Sequence, residues 1–134
     1  MIQVNELRIG NWVWNGYSGY MVVTELKRES ISLRHHQFEV DGKYSYSDIS
    51  PIPLTPEILI ACGFKDTRTR RVGFPDDIIE FNNGDYEINV DDGYNFVLAT
   101  NDYGSMSAFV EVKYLHQLQN LYYSLTGQEL IYKP

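Results

Sequence analysis

The stretch KYLHQLQNLYYSLTGQELIY, residues 113 to 132, has the strongest periodic pattern in the chain. Its apolar residues recur at helical spacing, at Leu115, Leu118, Leu121, Tyr122 and Leu125. This stripe predicts an amphipathic helix that covers a core, and Gly127 is the residue expected to end it. Beside the stripe, His116 and Gln119 are expected to bond to loop carbonyls, so that the helix closes the fold. In the alternative interpretation, the helix amides bind the backbone of a partner.

A second helix is predicted in PIPLTPEILIACGF, residues 51 to 64. Thr55 can cap it, Pro56 suits its first position because the missing N–H costs nothing there, and Gly63 would end it. The helix spans about two turns. Its apolar face is expected to consist of Ile58, Leu59 and Cys62, with Phe64 as a closing contact.

Short strands are predicted throughout the first fifty residues. In LRIGNWVW, residues 7 to 14, the apolar positions fall on both faces, which indicates a strand covered on both sides. YMVVTEL and ISLRHHQFEV follow, and Asp41-Gly42 predicts a tight hairpin turn into KYSYSDI. This order favours a small SH3-like barrel or a curled sheet.

After a polar segment at 65 to 77, expected to be a loop, four more strands are predicted in IIEF, DYEINV, YNFVLAT and MSAFVEV. Asn83-Gly84 and Asp92-Gly93 separate the first three and predict an antiparallel meander. The fold class is therefore α+β: a β-rich part, a helix, a four-stranded meander and a closing helix. The predicted domains are residues 1–50 and 51–134, or one continuous domain.

The composition is that of an ordinary soluble domain, with 134 residues, 43% hydrophobic and 22% charged. No apolar run approaches the roughly 20 residues needed to cross a bilayer, and the N-terminus has no signal-like pattern. We therefore expect a cytoplasmic protein with no membrane association. Cys62, the single cysteine, is interpreted as a small buried hydrophobe.

The net charge of −7 is concentrated in the second part of the chain, where residues 51–134 hold six Lys and Arg against twelve Asp and Glu. This balance disfavours nucleic acid as a general partner. The acidic residues are Asp76, Asp77, Glu80, Asp85, Glu87, Asp91 and Asp92. They do not fit a calcium-loop pattern, but clustered on one face they would suit an acidic inhibitor of a host nucleic-acid enzyme.

No catalytic motif is present: the chain has no G-x-S-x-G elbow, P-loop or dinucleotide fingerprint. His35 and His36 are adjacent, so in a strand they point to opposite faces and do not share a metal. The basic run at 68 to 71 is expected to be a solvated loop. We predict a protein that is not an enzyme and that has no metal site and no cofactor.

The motifs LRIGNWV, PIPLTPEILIACGF and KYLHQLQNLYYSLTGQEL resemble a family of small uncharacterised proteins from gut bacteria of the Bacteroides type and their phages and mobile elements. In their order the three motifs span nearly the whole chain. The family has no assigned activity, so the resemblance implies a bacterial or phage cytoplasmic context and no functional residue.

Eleven tyrosines favour recognition of a partner, because tyrosine supplies contact area with little loss of entropy. The leading hypothesis is a non-enzymatic protein-binding or adaptor protein that acts through a tyrosine-rich surface. The alternative is a nucleic-acid-binding accessory factor that uses the N-terminal barrel, where aromatic and basic side chains could hold a strand. The candidate binding residues are Trp14, Tyr17, Tyr20, Arg34, His35, Tyr44 and Tyr46.

Overall fold

The computed structural model describes residues 2–16, 19–38, 40–66, 79–82, 86–90, 96–102, 105–106 and 110–134. The chain divides into two units. Unit 1 is Met1–Pro53 with Tyr114–Glu129, and unit 2 is Leu54–Lys113 with Leu130–Pro134. The predicted closing helix thus belongs with the N-terminal part of the chain. The fold class is α+β.

Unit 1 contains a five-stranded antiparallel sheet in the order β4-β3-β2-β1-β5. The strands are β1 Trp12–Asn15, β2 Gly19–Leu26, β3 Ile31–His35, β4 Asp41–Tyr44 and β5 Ile49–Ser50. Short 3-10 helices at Val4–Glu6 and Tyr46–Asp48 precede β1 and β5. In the described part of the chain β4 and β5 are the two ends of this sheet. The sheet is not closed, so a barrel is not confirmed.

One face of this sheet carries the hydrophobic core of unit 1. Alternate strand residues are buried with Ile2 and Leu7, namely Val13, Met21, Val23, Ile31, Leu33 and Ile49. This is the two-residue period expected of a half-buried sheet. The opposite face is more open, since Trp14 remains 44% exposed. The prediction that the first strand is covered on both sides is therefore wrong.

The first strand also begins later than predicted. Leu7 is buried, but Ile9 is exposed and lies in a turn. Gly10 follows with φ of +96°, a conformation that glycine adopts without steric cost. The regular strand starts only at Trp12.

The hairpin between β3 and β4 differs from the predicted one. Asp41 and Gly42 are strand residues paired with Arg34 and Leu33, and the turn is at 36–38. Gly42 has no positive φ. A Cβ there would come within 2.8 Å of the Tyr44 ring, so glycine is used here to leave room for a side chain.

In unit 2, the helix predicted at Pro56 is confirmed as α1, Pro56–Ala61. Thr55 caps it, with Oγ1 accepting a hydrogen bond from the Ile58 N–H at 3.2 Å. Gly63, at φ of +91°, ends the helix in a Schellman arrangement. The N–H groups of Gly63 and Phe64 donate to Ile60 and Leu59 respectively, each at 3.0 Å.

Unit 2 also holds an antiparallel sheet in the order β10-β9-β8-β7-β6, with β11 paired to β9. The strands are β6 Lys65–Asp66, β7 Ile79–Asn82, β8 Tyr86–Val90, β9 Phe96–Asp102, β10 Ser105–Met106 and β11 Val110–Val112. Phe81 and Ile88 are cross-strand partners and both are fully buried. The predicted turns at Asn83-Gly84 and Asp92-Gly93 lie outside the described residues, as does most of the predicted 65–77 loop.

The final helix is confirmed as α2, Leu115–Thr126. Gly127 ends it at φ of +72°, with its N–H donating to the Tyr123 carbonyl at 2.8 Å. Leu115 and Leu118 are buried, whereas Leu125 is 47% exposed, so only the first part of the stripe is covered. Within the described residues, no helix has the length and apolar character needed to span a membrane.

Candidate functional site

The amides of α2 hydrogen-bond within the chain. Gln119 is buried; its Oε1 accepts from the backbone N–H of Trp12 at 2.9 Å, and its Nε2 donates to the Gly10 carbonyl at 3.2 Å. Gln117 accepts from the Tyr114 N–H at 3.3 Å. These bonds support the interpretation in which the helix closes the fold.

Asn120 extends this polar contact to the N-terminal segment. Its Nδ2 donates to the Glu6 carbonyl at 2.8 Å, and its Oδ1 accepts from Asn11 Nδ2 at 2.8 Å and from Arg8 at 3.2 Å. Arg8 also pairs with Glu129 and lies over the Tyr123 ring, 4.1 Å from its centroid. These contacts of Asn120 and Arg8 have a structural role, because they join α2 to the N-terminal segment inside unit 1.

His116 behaves differently from its prediction. The side chain is only 1% exposed, yet neither ring nitrogen has a hydrogen-bond partner in the described structure. Its ring stacks on that of Tyr114, with centroids 5.9 Å apart. Burial lowers the pKa of His116, and the carboxylate of Glu6 partly opposes this shift. The expected bond from His116 to a loop carbonyl is therefore wrong, and the residue is a buried neutral imidazole.

The open face of the unit 1 sheet carries the largest exposed aromatic side chain of β1. Trp14 lies directly opposite Tyr20 of β2, and Trp12 lies opposite Val22 on the same face. Trp12, Tyr20 and Val22 are half-buried. Cross-strand aromatic pairs of this type stiffen a sheet surface while leaving it apolar.

A series of four rings runs from this face to the tip of the β3–β4 hairpin. Trp12 and His36 have ring centroids 5.7 Å apart, and His36 stacks on His35 at 4.9 Å with an 18° angle between the rings. His35 in turn contacts Phe38 at 4.7 Å. Phe38 is 70% exposed. We call the set Trp12, Trp14, Tyr20, His35, His36 and Phe38 the aromatic surface.

The nearest described cation to the aromatic surface along β3 is Arg34, and it is paired with Asp41 of β4. Arg34 donates two hydrogen bonds to Asp41, at 2.8 Å from Nε and 3.1 Å from Nη2. The hydrogen bond from Arg34 is the main reason that the pKa of the Asp41 carboxyl is lowered. Lys27 and Glu25 form a further surface pair at 3.3 Å. Arg34 therefore brings little net positive charge to this face.

The structure brings together only part of the predicted site. Trp14, Tyr20 and His35 belong to the aromatic surface, and Arg34 is exposed beside it. Tyr44 and Tyr46 instead pack against the hydrophobic core, and the Tyr46 hydroxyl donates to the Lys27 carbonyl at 2.6 Å. Burial raises the pKa of Tyr46. Tyr17 lies outside the described residues.

Sequence reasoning missed His36 and Phe38 as members of this surface. The sequence predicts both within a continuous strand, since the segment HHQF contains neither glycine nor proline to indicate a turn. The Asp41-Gly42 pair gave a stronger turn signal five residues after His36.

Two kinds of chemical site, a metal centre and a reactive thiol, can be checked in the part of the chain that the structure describes. No three His, Cys, Asp or Glu residues there lie where they could share a metal ion. Cys62 is buried, and desolvation raises the pKa of its thiol to about 12, so it stays protonated at neutral pH. The basic run at 68–71 and five of the predicted acidic residues, Asp76, Asp77, Asp85, Asp91 and Asp92, lie outside the described residues, as do the side chains of Glu80 and Glu87.

Comparisons with known proteins found no match, whether to a family model, a curated protein or a solved structure. A proposal about its function therefore rests on its own sequence and structure.

Proposed function

We propose that the protein is a non-enzymatic adaptor that binds a protein partner through the aromatic surface of unit 1. The observation that carries this proposal is a set of aromatic rings in mutual contact, beside which Arg34 is paired with Asp41. Phe38 and Trp14 expose 70% and 44% of their surface, and Arg34 is neutralised by Asp41. Aromatic side chains without net charge are the usual centre of a protein–protein interface.

The contacts within the ring series also support a binding role. The ring of Phe38 contacts the ring of His35. Behind it, the hairpin is closed by the backbone N–H of His35, which donates to the Val40 carbonyl at 3.3 Å. A side chain fixed before binding loses less entropy when it enters a pocket on a partner. Phe38 is therefore the proposed anchor and Trp14 the flanking contact.

The biological context is proposed from the resemblance of the three motifs, which implies an origin in Bacteroides-type bacteria or their phages and mobile elements. A cytoplasmic location and an SH3-like architecture for unit 1 belong to the same proposal. The strand order with β5 beside β1, and the 3-10 helix at Tyr46–Asp48 before β5, support the SH3-like assignment.

Binding of single-stranded nucleic acid at the same surface is the second candidate. It is favoured by one observation: Trp14 is exposed and Trp12 is only half-buried, so rings are available for base stacking. The paired state of Arg34 argues against it, because phosphate binding depends on cationic side chains. An acidic inhibitor remains a variant that depends on the charges between residues 76 and 92.

A retention experiment separates these candidates. The tagged protein is incubated with a Bacteroides-type lysate, with and without nuclease, beside a Trp14→Ala/Phe38→Ala double variant. Leu125→Ala is the matched control, because Leu125 is a similarly exposed apolar residue on α2. We expect a discrete protein that survives nuclease, that the control retains and that the double variant loses. Retention that requires intact nucleic acid would instead support the second candidate.

A further inference from the structure

The two stacked histidines of the aromatic surface are held in opposite tautomers. The backbone N–H of Gln37 donates to Nδ1 of His35 at 3.2 Å, so that nitrogen carries no proton and the ring proton is on Nε2. In His36, Nδ1 lies 3.1 Å from the Tyr20 carbonyl, which can only accept, so here Nδ1 carries the proton. Each imidazole is thus fixed by a backbone group.

These tautomers respond differently to acid. Protonating His36 adds a proton at Nε2 and leaves its bond to Tyr20 intact. Protonating His35 adds a proton at Nδ1, the nitrogen that accepts the hydrogen bond from the backbone N–H of Gln37 when the ring is neutral. That hydrogen bond is then lost. The bond from Gln37 to His35 lies inside the turn that positions Phe38. Two charged rings 4.9 Å apart would also repel each other.

We infer that His35 is a pH-sensitive switch for the aromatic surface. Its neutral ring fixes the turn at 36–38 and the anchor Phe38, and its protonation releases both and weakens partner binding. The last step rests on the proposed binding function, whereas the release of the turn does not. Imidazole is the side chain whose ordinary change of charge falls between pH 5 and 8.

The elements packed around His35 carry the following charged and titratable groups among the described residues. Met21 is its cross-strand partner on β2, and the neighbouring strands present Trp12 and Tyr20 to His36. β3 and β4 contribute Arg34, Asp41 and Lys43, of which the first two are paired with each other. Glu39 lies outside the described residues.

The tautomers and the turn can be measured without any partner. Nitrogen-15 NMR of histidine-labelled protein at pH 7.5 should show the Nε2–H form for His35 and the Nδ1–H form for His36. Amide exchange at Gln37, corrected for intrinsic rates, should show protection that falls several-fold between pH 7.5 and 5.5. An Nδ1–H form for His35, or pH-independent protection at Gln37, would overturn the inference.

Two variants assign the effect to one ring. In His35→Asn, the side-chain oxygen can accept from the N–H two residues on and cannot titrate, so protection at Gln37 should persist at pH 5.5. His36→Gln should lose protection with pH as the parent does. If His35→Asn loses protection in step with the parent, His35 is not the switch. All three proteins keep His116, so acid effects on the whole fold are common to them.

Retention from lysate at the two pH values then tests the link to binding. If the parent retains a partner at pH 7.5, retention should fall several-fold at pH 5.5, and His35→Asn should not show this fall. A retained partner with no pH response overturns the switch while the proposed function stands. If no partner is retained at any pH, the proposed function fails and the NMR measurements alone decide the state of the turn.

Discussion

The side-chain oxygen of Gln119 accepts a hydrogen bond from the backbone N–H of Trp12 at 2.9 Å, across 107 residues of sequence. The same amide donates to the Gly10 carbonyl, so one side chain on α2 satisfies two backbone groups of the segment that leads into β1. Two motifs from opposite ends of the chain are joined in this way. Their polar residues are explained by packing within unit 1.

Replacing Gln119 with alanine should destabilise the protein by about 1–3 kcal/mol, because it leaves a partly buried N–H and a partly buried carbonyl without their partner. Urea denaturation followed by circular dichroism measures the change. Gln128→Ala is the matched control, since Gln128 is an exposed glutamine just beyond Gly127 and its loss should cost less than about 0.5 kcal/mol. Equal midpoints for the two variants would show that Gln119 does not tie α2 to β1.

His116 should make the stability of the protein depend on pH. Its pKa is lowered in the folded state, so between the folded and unfolded values the unfolded chain binds more protons. The free energy of unfolding therefore falls as the pH drops below the ordinary imidazole value near 6.5. The limiting slope is about 1.4 kcal/mol per pH unit.

His116→Leu removes this dependence, and it sacrifices no hydrogen bond because the ring nitrogens have none. Denaturation at pH 8 and at pH 5.5 should show that the variant gains stability relative to the parent as the pH falls. Parallel stability curves for the two proteins would mean that His116 is not buried in a neutral state.

Substitutions of Gly42 test whether Asp41 and Gly42 lie in a strand or in a turn. In a turn with positive φ, asparagine is tolerated nearly as well as glycine. In β4, any side chain at position 42 displaces the Tyr44 ring from the core, so both Gly42→Ala and Gly42→Asn should cost about 1 kcal/mol or more. Thermal denaturation of both variants measures this. A Gly42→Asn protein as stable as the parent would favour the turn.

Both helices could be predicted from the sequence because their signals are local. Thr55, Pro56 and Gly63 specify the ends of α1 by backbone chemistry that does not depend on the rest of the fold. In α2, helical periodicity and Gly127 act in the same way. Such features are readable in one sequence because every partner lies within a few residues.

The aromatic surface was only partly predictable because exposure depends on tertiary packing. Alternation in β1 places Val13 and Trp14 on opposite faces, but it does not say which face is covered. Likewise, nothing local places the turn at 36–38 rather than at Asp41-Gly42, since the pairing of Arg34 with Asp41 is a cross-strand contact. Tyr44 and Tyr46 were assigned to a surface and lie against the core for the same reason.

Site-specific photo-crosslinking in bacterial cells tests the proposed binding function most directly. A photoreactive phenylalanine analogue is placed at position 38, with position 125 on α2 as the control, and crosslinked species are resolved after nuclease treatment. We predict a discrete protein adduct from position 38 that position 125 does not give and that Trp14→Ala weakens. No adduct from position 38, or the same adducts from both positions, would contradict a protein-binding role for the aromatic surface.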